Sequence, residues 1–270
     1  MNGGGQGIGL ARLPAQKSLG QHFLLDMNIT RKIVRAAGDL AGRTVIEIGP
    51  GPGGLTRALL ESPARAVLAI EKDSRFVEAL QPMATESLGR LTIIEGDAMS
   101  LDPATFGTAP RVIVANLPYN VGTPLLVAWL KNITDYESLT LMFQKEVAER
   151  ITASVGTSGY GRLSVIAQAV AQVQRVASVP ARAFTPPPKV DSAVVHLRPL
   201  PDAASVPLDM LERVTQAAFH QRRKMLRHSL RNLGGEELLA KLGLDPTWRA
   251  ENVPVSSYIA LARILGTPKR

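Results

Sequence analysis

The 270-residue chain contains no cysteine, which removes disulfide scaffolds, thiolate zinc sites and cysteine nucleophiles together. Its four histidines, His22, His196, His220 and His228, show no HExxH spacing, the arrangement that puts two imidazoles on one helix face, so no protein metal site is expected. There is no apolar run long enough to cross a bilayer, and Met1 to Gln16 lacks an apolar core of signal-peptide length. Neither export nor membrane insertion is expected, and the sequon-like Asn132-Ile133-Thr134 is read as chance. What is present suffices for a large globular domain and a smaller one, with 45% apolar residues. The formal net charge of +8 points to a polyanionic partner, because a basic surface attracts nucleic acid or anionic lipid at long range. From Pro207 to Arg270 there are eleven Lys or Arg against six Asp or Glu, so this stretch holds +5 of the +8.

Residues 1–16 are glycine-rich without hydrophobic periodicity and are expected to form a flexible tail. From Arg43 onward, short β-branched runs alternate with helical patterns, the signature of a parallel sheet covered by helices. Seven strands are predicted: Thr44–Ile48, Ala66–Glu71, Leu91–Glu95, Arg111–Ala115, Ser138–Phe143, Gln174–Val179 and Ser192–Leu197. Helices are predicted over Leu55–Glu61, Ser74–Ala84, Pro124–Lys131, Lys145–Ser154 and Arg162–Ala171. The last two strands are separated by a proline-rich loop, which permits an antiparallel pair at one edge. Pro199 to Pro207 reads as a linker. Beyond it the pattern is purely helical: Leu208–His220, Arg222–Leu233, Glu236–Leu242 and Ser256–Leu265. The expected organisation is a catalytic domain over 17–200 and a small all-α domain over 201–270.

The run Thr44-Val45-Ile46-Glu47-Ile48 leads directly into Gly49-Pro50-Gly51-Pro52-Gly53-Gly54, a glycine-rich turn between strand and helix where a ligand can approach the backbone closely. Gly49, Gly51 and Gly54 satisfy GxGxxG, and Glu71 ends the next strand about where a ribose-binding acid belongs. This motif does not separate NAD from S-adenosyl-L-methionine. Two features favour the methyl donor. Glu47 sets a carboxylate before the glycines, where it can pair with the cationic end of an amino-acid cofactor but would oppose a pyrophosphate. Asp97, in Gly96-Asp97-Ala98 after the third strand, can accept a hydrogen bond from an adenine amino group, although loop capping is a common role for such an aspartate.

The apolar strand Val112–Ala115 exits into Asn116-Leu117-Pro118-Tyr119-Asn120, at the strand end where ligands of open α/β sheets bind. An aromatic amine is a poor nucleophile because its lone pair is delocalised into the ring. It needs acceptors rather than a strong base. The Asn116 carboxamide oxygen and a following carbonyl, that of Leu117, can accept its two N–H groups and stabilise the charge that develops during attack. Pro118 adds rigidity, and Tyr119 offers a face for a base removed from its stack. In Arg222–Leu233, Arg223, Arg227 and Arg231 recur every fourth residue opposite Leu226, Leu230 and Leu233, which predicts a helix that packs on one side and grips phosphates on the other.

From Lys17 to Leu265 the chain resembles the small-subunit (16S) ribosomal RNA adenine dimethyltransferases, the KsgA family. The resemblance rests on Gly20-Gln21-His22-Phe23-Leu24, Glu47-Ile48-Gly49-Pro50-Gly51, Asn116-Leu117-Pro118-Tyr119-Asn120, Gln144-Lys145-Glu146-Val147, Gly161-Arg162-Leu163-Ser164, Phe184-Thr185-Pro186-Pro187-Pro188-Lys189-Val190-Asp191-Ser192 and Gln221-Arg222-Arg223-Lys224. It implies a Rossmann-like, seven-stranded class I methyltransferase sheet with a small all-α C-terminal domain. The implied cofactor is S-adenosyl-L-methionine, held around His22, Leu24, Glu47, Gly49, Gly51, Glu71, Asp97 and Asn116. The implied reaction is dimethylation of two adjacent adenosines in the terminal hairpin loop of small-subunit rRNA. Phe184 would hold the target adenine opposite Tyr119, and Arg222, Arg223, Lys224, Arg227 and Arg231 would bind RNA. Some members carry Asn where this chain has His22, and either side chain can donate a hydrogen bond. The expected setting is a cytoplasmic monomer acting on pre-30S particles without membrane contact. Three other readings remain: a large-subunit rRNA methylase, a non-catalytic assembly factor and an NAD dehydrogenase.

Overall fold

Runs of β-branched and aliphatic residues become strands here because both of their faces are covered. Every residue of Thr44–Ile48 is buried, as are five of the six in Ala66–Glu71. The computed structural model describes residues 21–266, and the expected tail over 1–16 lies outside them. In chain order the first half comprises β1 (Phe23–Leu24), α1 (Met27–Ala36), β2 (Thr44–Ile48), α2 (Gly54–Leu60), β3 (Ala66–Glu71), α3 (Ser74–Glu86), β4 (Leu91–Glu95), β5 (Arg111–Asn116), α4 (Gly122–Lys131) and β6 (Ser138–Gln144). There follow α5 (Lys145–Ile151), α6 (Arg162–Val170), β7 (Ala171–Val179), β8 (Phe184–Thr185), β9 (Ser192–Pro199), α7 (Leu208–His220), α8 (Leu226–Ser229), α9 (Gly235–Ala240) and α10 (Val255–Gly266).

All seven predicted strands join one sheet in the order β4-β3-β2-β5-β6-β9-β7. The pairs β2–β3, β2–β5, β3–β4 and β5–β6 are parallel. β9 inserts between β6 and β7, leaving β7 at the edge. Strand order reverses between β2 and β5, and the crevice beyond the carboxyl ends at such a switch point is where open α/β sheets bind ligands. A separate two-stranded antiparallel pair, β1 with β8, sets Leu24 opposite Phe184. α1 has a local cause: Asp26 caps it, accepting from the Asn28 amide at 2.8 Å, and Ile33 and Val34 on one face are buried.

The residues fall into two compact units. One holds the chain up to Leu125 with Asp135–Lys145 and Val176–His196; the other holds Leu126–Thr134, Glu146–Arg175 and the chain from Leu197 onward. In the second unit α6, α7 and α10 pack on one another around three aromatic rings. The Phe219 ring lies 6.2 Å from Tyr160 and 5.8 Å from Tyr258. Both buried phenols are satisfied, Tyr160 donating to the Val253 carbonyl at 2.9 Å and Tyr258 to the Ala250 carbonyl at 2.8 Å. The Gly161-Arg162-Leu163-Ser164 motif starts α6, where the Ser164 hydroxyl accepts from the Gly161 amide at 3.0 Å. The helix predicted over Arg222–Leu233 is not continuous. α7 ends at His220, Met225 is extended and bridged to Arg249, and only α8 and a single 3-10 turn over Arg231–Leu233 follow. A strand-like pairing with a segment two dozen residues away outcompetes the local helical periodicity.

Candidate active site and nucleic-acid interface

The carboxyl ends of β2 to β5 surround one cleft. Its lining includes His22, Phe23, Leu24, Glu47, Gly49, Gly51, Glu71, Lys72, Asp97, Met99 and Asn116 through Asn120. Every predicted cofactor residue is therefore gathered in one place. The glycines are needed sterically. Gly49 and Gly51 have φ values of +67° and +51°, a region that disfavours side chains. A Cβ on Gly54 would overlap the Leu24 carbonyl oxygen, so this glycine lets β1 lie against the turn.

Three carboxylates have distinct environments. Glu47 is 1% exposed, and burial, reinforced by the neighbouring charge of Glu71, pushes its carboxyl up to about 8. The Thr56 side chain and amide oppose the rise, yet neither Glu47 Oε2 nor the Thr56 hydroxyl, both buried, reaches hydrogen-bond geometry with a partner. Glu71 is oriented by backbone amides: Oε2 accepts from Gly51 at 3.0 Å and Oε1 from Asp73 at 2.8 Å. Burial raises its carboxyl while those amides oppose the rise. Asp97 is more open. Lys72 Nζ donates to its Oδ2 at 2.7 Å and the Met99 amide to its Oδ1 at 2.9 Å, and the Lys72 hydrogen bond is the main cause holding its carboxyl below the usual range. Asp97 thus caps its loop and lines the cleft with the same side chain.

At the end of β5 the Asn116 Nδ2 donates to the His22 carbonyl at 3.2 Å. This commits the amino half of the carboxamide and fixes its orientation from the hydrogen-bond network, leaving Oδ1 as an acceptor. The Pro118 carbonyl receives the Val121 and Gly122 amides at 3.1 and 3.0 Å as α4 begins. The Leu117 carbonyl has no donor among the described residues, while the Leu117 side chain anchors the turn at 2% exposure. The Tyr119 hydroxyl and the Ser192 hydroxyl share a hydrogen bond of 2.6 Å. The Tyr119 ring lies 5.4 Å from the His22 ring at 31°, and His22 Nδ1 donates to the Pro186 carbonyl at 2.8 Å. Sequence reasoning missed Ser192 and Lys72 as supports. Ser192 closes the quoted proline-rich motif, and Lys72 directly follows Glu71.

Phe184 is placed differently from the other predicted catalytic residues. It is 3% exposed, lies in the core cluster with Leu24 and Val179, and does not line the cleft. Pairing of β8 with β1 turns the aromatic inward, as a hydrophobic plug.

The predicted RNA-binding residues gather in the second unit. A broad cleft of about 1060 Å³ is lined by Arg213, His220, Arg223, Lys224, Met225, Arg227, His228 and Arg231, with no carboxylate in its lining. Arg222 is the exception. Its Nε donates to Glu251 Oε2 at 2.6 Å, so it braces the fold while its neighbours face the cleft.

The profile of the family described as "Ribosomal RNA adenine dimethylase" matches residues 12–266. A curated relative from Phenylobacterium zucineum, "Ribosomal RNA small subunit methyltransferase A", is 60% identical over 92% of this chain and 87% of its own length. A relative of the same name from Ruegeria sp. is 55% identical over 96% and 94%. Among solved structures, a dimethyladenosine transferase from Plasmodium falciparum superposes with a TM-score of 0.79 at 29% identity, covering 89% of this chain and 96% of that one. The 23S rRNA methyltransferase ErmE superposes with a TM-score of 0.70 at 26% identity, covering 91% and 100%. The sheet order, the cleft at its switch point and these likenesses agree: this chain belongs to the ribosomal RNA adenine dimethylase family.

Proposed function

We propose that this protein dimethylates the exocyclic amino groups of two adjacent adenosines in the 3′-terminal hairpin loop of small-subunit rRNA, acting as a monomer on pre-30S particles in the cytoplasm. The observation that carries the reading is the Asn116 carboxamide, whose amino half is tied to the His22 carbonyl while Oδ1 remains an acceptor at the cleft. Beside it the Leu117 carbonyl is a second acceptor without a donor. Together they suit an amine that must shed electron delocalisation and gain positive charge during attack.

The residues present fit S-adenosyl-L-methionine. A buried carboxylate oxygen on Glu47 lacks a donor, and a cationic amino group is the complement it needs. Glu71, with each oxygen engaged by one backbone amide, keeps lone pairs for a ribose diol. Asp97 keeps acceptor capacity for an adenine amine. When bound, that cofactor supplies an electrophilic methyl group on a sulfonium. The chain's own contribution is to orient the incoming amine with Asn116 and Leu117, to hold the base against the Tyr119 ring, and to grip RNA phosphates with Arg223, Lys224, Arg227 and Arg231. The proposed division of labour assigns catalysis to residues 17–200 and RNA docking to 201–270. After the first transfer a single N–H remains, so the amine must rotate or release one of its two acceptors before the second.

The likeness to a 23S rRNA methyltransferase makes large-subunit rRNA the second substrate to test. Purified protein, labelled methyl donor and unmethylated small or large subunits, followed by nucleoside analysis, decide between them. Labelled dimethyladenosine from the small subunit is the expected result. Label confined to the large subunit, or no label from either, overturns the proposal.

A further inference from the structure

The second unit carries an exposed tryptophan that the methyl-transfer site does not use. Of the chain's two tryptophans, Trp129 is buried at 3% exposure and Trp248 is 38% exposed. Its turn is braced. Asp245 Oδ1 accepts from the Thr247 amide and hydroxyl at 2.8 and 2.6 Å, and the Asp245 carbonyl accepts from the Trp248 amide at 3.2 Å. The turn is also tied to the wall of the basic cleft. The Trp248 carbonyl accepts from the Leu226 amide at 2.6 Å, the Pro246 carbonyl accepts from the Arg227 amide at 3.1 Å, and Met225 bridges Arg249. The indole is thus mounted on backbone continuous with the segment that presents Arg223, Lys224 and Arg227.

The ring does not itself line the basic cleft, but an aromatic face on a pre-ordered turn whose backbone is bonded to a cation-bearing segment is the composition of a single-strand-binding surface. There, bases stack on the ring and phosphates follow the charge. A protein-binding patch would be depleted of charge at its centre. Here Arg249 follows the ring directly in sequence, and Asp245, the carboxylate of the turn, lies in the field of Arg227 and is occupied by Thr247. Bracing also lowers the ordering cost of binding.

We infer that Trp248 stacks an unpaired nucleotide of the RNA substrate while Arg223, Lys224 and Arg227 hold the flanking phosphates, so that this surface prefers single-stranded over duplex RNA. The inference rests on the proposed reading of the basic cleft as an RNA surface.

The test is a fluorescence titration of the full chain with a single-stranded RNA of about twelve nucleotides and with a duplex of the same sequence. Trp129 gives a buried, constant background, so quenching seen in wild type and lost in Trp248→Leu reports the exposed ring. Trp248→Leu and Trp248→Ala should bind the single strand about tenfold more weakly, and Trp248→Phe should bind like wild type. Methyl-donor affinity should be unchanged in all three. The combined Arg223→Ala, Lys224→Ala, Arg227→Ala variant should lose affinity for both RNAs and lower the salt dependence by about three counterions. If that variant binds normally, the RNA reading of the cleft fails and takes the stacking inference with it. If it fails to bind but Trp248 is not quenched and Trp248→Ala binds like wild type, the RNA reading stands and stacking is overturned. A Trp248→Ala defect seen only on assembled particles, with no quenching by free RNA, assigns the ring to a protein contact and also overturns it.

Discussion

Replacing Glu47 by glutamine should make the protein more stable at alkaline pH and a poorer binder of the methyl donor. The side chain is 1% exposed on β2, its Oε2 has no hydrogen-bond partner, and burial holds its carboxyl near 8. In the unfolded chain the same carboxyl titrates at about 4.3. The fold therefore binds this proton more tightly than the unfolded chain does. The sign follows: no penalty exists below about pH 4, the penalty grows as pH rises through the interval between the two values, and it is complete above about pH 8. At about 1.4 kcal/mol per pH unit of separation, the ceiling is about 5 kcal/mol. Polar relaxation around a buried charge reduces this, and about 2–3 kcal/mol is expected. Glutamine matches the shape without the charge. Denaturant titrations of wild type and Glu47→Gln at pH 5, 7 and 9, compared at constant m-value, should show a stability advantage for the variant that widens by that amount from acid to alkaline pH. Calorimetry at pH 8 should show S-adenosyl-L-methionine binding weakened about tenfold or more, as expected for a lost charge-assisted contact. Parallel stability curves would refute the argument that the fold resists ionisation of this group. A widening gap with unchanged cofactor affinity would remove Glu47 from the cofactor set and leave it as stored strain.

Two further outcomes separate roles within the site and the cleft. Tyr119→Phe loses only the hydrogen bond to Ser192 and keeps the ring face, so kcat/KM for rRNA should stay within a few-fold of wild type, whereas Tyr119→Ala should lose about tenfold to a hundredfold; equal losses would show that the hydroxyl, not the face, matters. Because Arg222 is engaged by Glu251 while Arg223 lines the cleft, Arg223→Ala should lower the slope of log affinity against log salt by about one and Arg222→Ala should leave it unchanged. Matching slopes for the two variants would contradict this assignment.

The parallel core was legible because its strands are buried on both faces and so read as uninterrupted apolar runs. Thr44–Ile48 and Ala66–Glu71 match β2 and β3 residue for residue, and Leu91–Glu95 matches β4 although that edge strand has only Leu91 buried. That the candidate cofactor residues would share one cleft was legible for a related reason: most of them sit at or immediately after strand ends, where chain direction alone predicts convergence. α1 was missed although its signals were present in the Asp26 cap and the Ile29, Ile33 and Val34 spacing. β7 begins at Ala171, three residues early, because α6 passes into extended backbone there without a loop.

What the sequence did not reveal depends on partners far along the chain. The resemblance sets Phe184 against the target adenine, but β1, about 160 residues earlier, pairs with β8 and buries the ring. Arg222 to Leu233 has helical periodicity, but the bridge from Met225 to Arg249 and the ion pair from Arg222 to Glu251 break it. Apart from Arg222, the basic residues of that segment still gather in one cleft, by a route other than a helix face. The Asn116 orientation likewise depends on the His22 carbonyl, 94 residues away in sequence.

The central claim is that Asn116 acts on the amine and not chiefly on the cofactor. The direct measurement is single-turnover transfer of labelled methyl groups to unmethylated small subunits by wild type and Asn116→Ala, with cofactor affinity determined on the same preparations. The account predicts that transfer falls by about a hundredfold to a thousandfold, the scale of losing one oriented hydrogen-bonding group at a developing charge, while the cofactor Kd changes by no more than about threefold, less than 1 kcal/mol. Transfer by Asn116→Ala at the wild-type rate, or a loss fully explained by weakened cofactor binding, would contradict it.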